Sequence, residues 1–267
     1  MKISFNKPTL YNYNLKQTND KNYNKSAFTS PAFTAVNGYY TDLVQKGCKS
    51  SGVVPLYEYK NILNRIYNYK GYDNKPLFDI KYNKMRYPDI NKEDEGLLFY
   101  AGYCDLSDDI NRYLSKRELY KMTKAQAKDV VKVLDYSLNR LDEKYGKYSG
   151  IVYRQGFFPL GQHQFISTTK DPLIAAKLRG GLFINKDLDF SIIKTKNGHK
   201  ITNFQREMGS NYAEEEDEIL LSRKSKFKEI IDPQGEYLSL KKRFHKILEQ
   251  HSLSKVDSDK IRIFEEI

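Results

Sequence analysis

An acidic run passes without a break into an aliphatic run between residues 214 and 221, and this junction constrains the fold more than any other stretch. Five carboxylates, Glu214 to Glu218, are followed directly by Ile219, Leu220 and Leu221. Neighbouring like charges repel one another and stay in water, whereas a short aliphatic run is typical of a buried strand. The junction therefore predicts carboxylates at the mouth of a hydrophobic core.

Glu216 and Glu218 stand two positions apart in this junction. Side chains alternate between the two faces of an extended chain, so we predict that both glutamates share one face. Two adjacent carboxylates raise the pKa of at least one of them unless a cation or a hydrogen-bond donor offsets the repulsion. Such a pair can do acid–base or electrostatic work on a bound substrate. The alternative is an acidic loop that caps an ordinary strand.

The composition narrows the class of protein and its partners. A chain of 267 residues, of which 39% are hydrophobic, is long enough to bury a core in one large or two modest domains. Its 45 Lys and Arg residues exceed its 34 Asp and Glu residues, and the net charge is +11. This excess indicates an acidic partner such as nucleic acid, an anionic membrane surface or a phosphate-bearing ligand.

The sequence lacks the usual signals for membrane insertion, classical secretion and metal binding. It has no run of about eighteen apolar residues and no apolar N-terminal region, so we predict neither a membrane span nor a standard signal peptide. Cys48 and Cys104 are too few for a disulfide framework and, like the four histidines, lack metal-ligand spacing. We therefore expect free thiols, no metal, and either a cytoplasmic protein or export by a non-classical route.

The order of the predicted elements indicates an α+β fold. Residues 1–37 are rich in Asn, Lys and Tyr, which is typical of a disordered leader or delivery segment. With a helix at Leu56–Tyr67, this segment forms a predicted N-terminal region over residues 1–88, and the main domain is predicted over residues 89–267. Helices come first in that domain and strands later, which favours α+β over a doubly wound parallel sheet.

The boundaries of the elements follow from hydrophobic periodicity and from cap and turn residues. Further helices are predicted at Asp105–Leu114, Thr123–Tyr145 and Leu238–Gln250. Strands are predicted at Ile151–Arg154, Gln164–Thr169, Glu216–Leu221, Lys226–Ile231 and Lys260–Ile267. Residues Asp189–Ile201 are predicted to form a hairpin around Asn197-Gly198, and Asn203–Asp217 a loop.

Three short motifs follow one another at the ends of the predicted strands. They are Tyr153-Arg154-Gln155-Gly156, Phe165-Ile166-Ser167-Thr168-Thr169 and Glu216-Asp217-Glu218-Ile219-Leu220-Leu221. The order of the motifs, their spacing and their place on strands resemble those of the Arg-Ser-Glu class of mono-ADP-ribosyltransferases. That class includes actin-modifying binary toxins and arginine-specific ecto-enzymes. Tyr100 and the helix that contains Ile110 and Asn111 resemble the helical segment that precedes the sheet in that family.

The resemblance covers about half of the chain, residues 97–231. It implies a fold in which two packed, mainly antiparallel β-sheets form an NAD cleft, preceded by a helical segment. Two positions depart from the family pattern: Thr169 replaces the third serine of the Ser-Thr-Ser motif, and Gln155 separates Arg154 from the glycine. The first change keeps a hydroxyl group, and the second is tolerated in toxin members.

The chemistry of NAD cleavage explains the residue types that the resemblance brings together. Release of nicotinamide leaves a ribose cation, so the resemblance implies that Glu218 stabilises the ribose and binds its 2′-hydroxyl. Arg154 is implied to bind the pyrophosphate, for which a permanently charged, bidentate donor is better suited than lysine. Ser167 is implied to hold the catalytic carboxylate and to support the nicotinamide pocket, with help from Thr168 or Thr169.

Other residues are implied to contact the nicotinamide. Backbone groups of Gln155 and Gly156 would approach its amide. Phe183 is the candidate for the aromatic side chain that packs over the ring, and the alternative is an ordinary core phenylalanine. NAD is therefore predicted to be a substrate of the protein.

Glu216 is implied to determine the acceptor of ADP-ribose. A guanidinium, whose pKa lies above about 12, cannot lose its proton in the ground state, so a carboxylate must orient it and take the proton during attack. Family members with Glu at this position mostly modify arginine. The resemblance therefore implies transfer to an arginine of a target protein by a monomeric toxin or secreted effector.

Two other functions stay open. An NAD glycohydrolase would use the same site with water as the acceptor, although the complete Glu-x-Glu motif argues against it. A basic nucleic-acid-binding module would explain the net charge, with an affinity that falls steeply in salt. Nucleic acid is the less favoured partner because the sequence contains no recognised nucleic-acid-binding motif.

Overall fold

Four helices come first in the described chain, and the strands follow with three further helices among them, an order consistent with the predicted α+β fold. The computed structural model describes residues 53–79, 87, 90–101, 104–156, 158–161, 163–177, 189–207, 217–250 and 258–267. Its helices are α1 (Leu56–Ile66), α2 (Glu95–Ala101), α3 (Cys104–Leu114), α4 (Lys124–Tyr145), α5 (Pro172–Lys177), α6 (Ile201–Glu207) and α7 (Gly235–Gln250). Its strands are β1 (Tyr148–Gln155), β2 (Ile166–Thr169), β3 (Phe190–His199), β4 (Glu218–Leu221), β5 (Phe227–Glu229) and β6 (Ile261–Glu266), and a 3₁₀ turn, Ser258–Lys260, precedes β6.

The long helix α4 is the centre of the helical layer, and its bounds agree with the prediction. Thr123 caps its first turn: the hydroxyl accepts from the N–H of Gln126, and the Gln126 side chain accepts from the N–H of Thr123. Gly146 ends the helix with φ 67°, a conformation that glycine adopts without strain. One face of α4 is buried, including the apolar side chains Ala127, Val130, Val131, Val133, Leu134, Leu138 and Leu141.

Helix α1 packs against α4 with its apolar face, and its position agrees with the prediction. The Tyr59 ring stacks on that of Tyr136 with centroids 4.3 Å apart, and Arg65 pairs with Asp129 at 2.9 Å. Side chains that α1 buries, such as Tyr59 and Ile62, belong to the same hydrophobic cluster as those of α2, α3 and α4. The described residues fall within one compact unit over residues 43–267. The division predicted between residues 88 and 89 stays a prediction.

The sheet is built on a ladder between β1 and β3. These two long strands are antiparallel, and β6 then pairs parallel to β3 while β5 lies antiparallel at the edge. The short strands β2 and β4 form a separate antiparallel ladder from Ile166–Leu221 to Thr169–Glu218. Helix α7 covers one face of the sheet, where Phe244 and Leu248 pack with residues of β3 and β6.

The described strands form one hydrogen-bonded sheet, whereas the resemblance implied two packed sheets. Tyr153 of β1 pairs with Thr169 of β2, and His199 of β3 pairs with Leu220 of β4. The β2–β4 ladder is therefore joined at both sides to the β1–β3 ladder, and the order β1-β2-β4-β3 closes on itself. The two ladders share strands because Tyr153 pairs with Ile192 on one side and Thr169 on the other, and Gly198 pairs with Tyr148 and Leu221.

The hairpin predicted over Asp189–Ile201 is wrong, because β3 is a single strand. Asn197 does not turn the chain: its backbone N–H and side-chain amide donate to the buried carboxylate of Glu266, at 3.0 and 2.9 Å. Gly198 allows Ile219 to pack closely against β3, since a Cβ atom at this position would collide with the Cγ2 atom of Ile219. Burial alone would raise the pKa of Glu266, but the hydrogen bonds from Ser225, Asn197 and Thr195 hold it below its usual value.

The loop predicted over Asn203–Asp217 is wrong at its start, because residues 201–207 form helix α6. Ile201 and Phe204 are buried in the helical layer, so tertiary packing stabilises this short helix. Residues 208–216 lie outside the described residues. Within the described ranges, none of the helices combines the length and the apolar character needed to cross a membrane.

Glu95 and Gly96 begin α2 where it crosses α4. Glu95 is only 6% exposed, and burial raises the pKa of its carboxyl group to about 7. Its Oε2 atom makes no hydrogen bond with the described residues. Gly96 has no space for a side chain, because a Cβ atom would lie 2.5 Å from the Val133 carbonyl oxygen and 2.5 Å from the Ser137 hydroxyl oxygen.

The first prediction concerns Gly96→Ala. A helix propensity gain of about 1 kcal/mol favours alanine, but overpacking against a fixed backbone costs about 1–3 kcal/mol, so we expect a net loss of roughly 1 kcal/mol in the free energy of unfolding. Urea denaturation measures it. The control is Gly71→Ala, where the nearest atom is the Asp73 carboxylate at 3.1 Å, a surface group that can move. Stabilisation by Gly96→Ala would contradict the close crossing of α2 and α4.

The second prediction concerns the pH dependence of stability. Because the pKa of Glu95 is about 7 in the folded protein and 4.5 ordinarily, the stability that this group contributes is complete below pH 4.5 and is lost as the pH rises towards 7. Glu95→Gln removes that loss, so its free energy of unfolding relative to the unmodified protein should rise between about pH 5 and pH 8. Urea denaturation at both pH values tests this, with the more exposed Glu58→Gln as control. Parallel pH profiles would refute it.

Candidate active site

Strand β2 lies between β1 and β4, and this order brings the three sequence motifs together. Thr169 pairs with both Tyr153 of β1 and Glu218 of β4. The Nη1 atom of Arg154, on β1, donates a hydrogen bond to the carbonyl oxygen of Ser167, on β2, at 2.7 Å. Arg154, Ser167 and Glu218 are each partly buried, so they lie at the boundary between the core and solvent.

Tyr100 and Asn111 attach the helical layer to β2. The Asn111 Oδ1 atom accepts from the Phe165 N–H at 3.0 Å, and its Nδ2 atom donates to the Tyr100 hydroxyl at 3.4 Å. The Tyr100 hydroxyl in turn donates to the Phe165 carbonyl oxygen at 3.4 Å. The resemblance assigned both residues to the segment that precedes the sheet, and the structure joins them to the start of the serine strand.

The hydroxyl of Tyr100 lies near three of the predicted site residues, Arg154, Ser167 and Glu218. Burial raises the pKa of Tyr100, and the charge of Glu218 raises it further. A hydrogen bond with Ser167 and the charge of Arg154 act in the opposite direction. Because one buried hydroxyl interacts with all three groups, Arg154, Ser167 and Glu218 are close to one another in space.

Helix α6 supports Glu218 through Thr202 and Gln205, two residues that sequence reasoning missed. The Thr202 hydroxyl donates to the Glu218 carbonyl oxygen at 3.2 Å, and the Gln205 Nε2 atom donates to the Glu218 Oε2 atom at 3.5 Å. Asn203–Asp217 was predicted to be a loop because it is polar and contains glycine. The three-residue spacing of Ile201 and Phe204 was the signal that could have revealed one apolar face of a helix.

Thr168 joins β2 to β4 and points away from Ser167. It is 4% exposed, and its hydroxyl donates to the Ile219 carbonyl oxygen at 2.6 Å. Adjacent side chains in a strand face opposite sides, so Thr168 and Ser167 face different surroundings. The predicted role of Thr168 in binding the nicotinamide pocket stays a prediction, whereas its contact with β4 is part of the fold.

Gln155 and Gly156 end β1 beside the serine strand. Gly156 has φ 95°, which favours glycine, and its N–H donates to the Asp189 carbonyl oxygen at 2.7 Å. That N–H is therefore engaged within the fold, and the contact predicted between this backbone and the nicotinamide amide stays a prediction. The Gln155 Oε1 atom is buried and makes no hydrogen bond within the described part of the chain.

Glu216 and Phe183 lie outside the described residues, so their predicted roles stay predictions. The alternation argument that put Glu216 and Glu218 on one face requires extended backbone between them. Asp217 has φ 39°, in the left-handed region, so that argument does not hold across this residue. Lys170 holds Asp217 in place: its N–H donates to the Asp217 carbonyl oxygen at 3.3 Å, and its Nζ atom lies 2.8 Å from Oδ1.

Among the described residues, no group of three or more His, Cys, Asp or Glu side chains is arranged to hold a metal ion. A cavity also lies outside the candidate site. This cavity, of about 260 Å³, lies between α4 and the far side of α6. It is lined by Asn91, Asp94, Arg140, Leu141, Lys144, Tyr145, Phe204 and Glu207, none of which is a predicted site residue.

The chain is similar to several solved structures at low sequence identity. The type III effector XopAI of Xanthomonas axonopodis pv. citri aligns with 13% identity and a TM-score of 0.48, over 91% of this chain and 95% of that one. The ADP-ribosyltransferase HopU1 of Pseudomonas syringae pv. Tomato DC3000 aligns with 17% identity and a TM-score of 0.44, over 79% and 97%. The ADP-ribosyltransferase Vis, in complex with agmatine, aligns with 15% identity and a TM-score of 0.38, over 79% and 84%. No protein-family model and no curated protein match the chain.

The third prediction concerns Tyr100→Phe. Removing the hydroxyl deprives the Asn111 amide of its partner, and a buried polar group left unpaired costs about 1–3 kcal/mol, so the free energy of unfolding should fall by that amount. Urea denaturation measures the change. The control is Tyr57→Phe, because Tyr57 is 62% exposed. Equal effects of the two replacements would show that the Tyr100 hydroxyl does not hold the helical layer to β2.

Proposed function

We propose that the protein is a mono-ADP-ribosyltransferase of the Arg-Ser-Glu class, which transfers ADP-ribose from NAD to an arginine side chain of a target protein and releases nicotinamide. One observation supports this proposal: β2, which carries Ser167, pairs with both β1 and β4, and Arg154 of β1 donates to the Ser167 carbonyl oxygen at 2.7 Å. A cation, a hydroxyl and a carboxylate on neighbouring strands are the groups that cleavage of a nicotinamide riboside requires. NAD would bind in a cleft bounded by β1, β2 and β4.

In the proposed reaction, the bond between the ribose C1′ atom and the nicotinamide nitrogen breaks, and its electron pair leaves with nicotinamide. The ribose then carries positive charge, which the Glu218 carboxylate stabilises while it accepts a hydrogen bond from the 2′-hydroxyl. Arg154 binds the pyrophosphate through its guanidinium, whose charge does not depend on pH in the physiological range. Ser167 holds the Glu218 carboxylate and supports the nicotinamide pocket.

The acceptor step requires a second carboxylate. A nitrogen of the target guanidinium attacks C1′, a new N-glycosidic bond forms, and one proton must leave that nitrogen. Glu216 takes this proton in the proposal, because a guanidinium cannot release it unaided before attack. The sequence alone supports this role of Glu216, which also makes arginine the proposed acceptor.

The proposed setting is a toxin or effector that reaches a target cell by a non-classical route. The net charge of +11 suits a protein that binds the pyrophosphate of NAD. Residues 1–88 would serve as a leader or accessory region and residues 89–267 as the catalytic domain. The proposed enzyme acts as a monomer and takes NAD as a substrate.

A second candidate function is NAD hydrolysis, and the conformation of Asp217 favours it. Because φ at Asp217 is 39°, strand geometry does not oblige Glu216 to lie beside Glu218. A site with Glu218 alone would cleave NAD and admit water as the acceptor. The consequence would be depletion of NAD without modification of a protein.

The fourth prediction separates these functions. With labelled NAD and a cell lysate, the unmodified protein should label an arginine-containing target, and Glu218→Gln should lose both labelling and release of nicotinamide. Glu216→Gln should lose labelling by about 10²–10⁴-fold while hydrolysis of NAD persists, because only the acceptor step needs that base. Mass spectrometry locates the modified residue.

The control for this experiment is Glu236→Gln, since the Glu236 side chain is 67% exposed and pairs with Lys194. Free ADP-ribose without labelled protein would identify a glycohydrolase. An unmodified protein that neither labels a target nor releases nicotinamide would refute both enzymatic functions and leave a basic binding protein. Equal loss of hydrolysis in Glu216→Gln and Glu218→Gln would contradict the separate roles of the two glutamates.

A further inference from the structure

Gln205 is a buried amide beside the proposed catalytic carboxylate. Gln205 is 8% exposed, and its Nε2 atom lies 3.5 Å from the Glu218 Oε2 atom. A carboxylate only accepts hydrogen bonds, so the nitrogen of the amide must face Glu218 and the oxygen must face elsewhere. That oxygen, Oε1, is buried and makes no hydrogen bond with any of the described residues.

An amide in this position does not serve stability. A buried polar atom without a partner costs about 1–3 kcal/mol, whereas an apolar side chain of the same length would avoid that cost. Within the described part of the chain, the hydrogen bond that the Gln205 nitrogen makes is with a group of the proposed reaction. Its effect on Glu218 is therefore the physical reason for an amide at position 205.

Helix α6 holds Glu218 at two points. The Thr202 hydroxyl donates to the Glu218 carbonyl oxygen at 3.2 Å, one turn of helix before Gln205 reaches the carboxylate. Between these two residues, Phe204 faces the helical layer, where it is 4% exposed. The core of the helical layer thus fixes α6, and α6 fixes both the backbone and the side chain of Glu218.

We propose that Gln205 is a positioning residue, which orients the Glu218 carboxylate towards the ribose of NAD and favours its ionised form. This inference rests on the function proposed above. The distance of 3.5 Å is at the long limit for a hydrogen bond, and catalytic hydrogen bonds commonly shorten when substrate binds. Arg154 on β1 and Tyr100 on α2 are two of the charged or titratable groups near Glu218.

The fifth prediction uses Gln205→Met and Gln205→Glu. Gln205→Met keeps the length of the side chain and removes the donor, so kcat for release of nicotinamide should fall about 10-fold with little change in KM for NAD. Its free energy of unfolding should be unchanged or higher, since an unpaired polar atom is removed. In Gln205→Glu, a second carboxylate opposes ionisation of Glu218, so the acid limb of the rate–pH profile should move to higher pH.

The matched controls are Gln234→Met and Gln234→Glu. Gln234 is exposed, and its amide also donates to a carboxylate, that of Asp232, at 2.9 Å. Both controls should keep the kcat and the pH profile of the unmodified protein. If the unmodified protein turns over NAD and both Gln205 variants keep its kcat and pH profile, the inference is wrong and the proposed function stands. If the unmodified protein does not turn over NAD, the proposed function is wrong and the inference falls with it.

Discussion

Asn111 joins the helical layer to the strand that carries Ser167, and the geometry of the site depends on this contact. Its amide satisfies the Phe165 backbone on one side and the Tyr100 hydroxyl on the other. Both hydrogen bonds are partly buried, and the loss of a partner is more costly there than in water. Because β2 lies between β1 and β4, a strand that is fixed to the helices also fixes the distances to Arg154 and Glu218.

Elements with a strong periodic pattern could be predicted from the sequence, and elements that depend on distant contacts could not. Helix α4 has its cap at Thr123, its stop at Gly146 and a continuous apolar face, all of which are local signals. Asn197-Gly198 is an equally strong local signal for a turn, but Glu266 binds the asparagine and Ile219 crowds the glycine. Those two residues are distant in sequence, so tertiary contacts override the local preference.

Strand β2 pairs with both β1 and β4, the other strands that carry motif residues, but strand alternation did not describe the glutamate motif. Asp217 adopts a left-handed conformation, which costs a non-glycine residue about 1 kcal/mol or more and needs support from its surroundings. The Lys170 ion pair and backbone hydrogen bond provide that support from the residue that follows the Ser-Thr-Thr motif. No sequence pattern predicts this φ angle, because it depends on the contact between Asp217 and Lys170.

The parallel pairing of β6 with β3 determines when the sheet can be completed during synthesis of the chain. Residues 261–266 occupy a place between β3 and β5, and Phe264 is fully buried there. As the chain leaves the ribosome, Arg154, Ser167 and Glu218 emerge well before this strand does. Until it arrives, β3 has an open edge and the sheet lacks an inner strand. Assembly of the sheet is therefore a late event, completed only after residue 266 has been made.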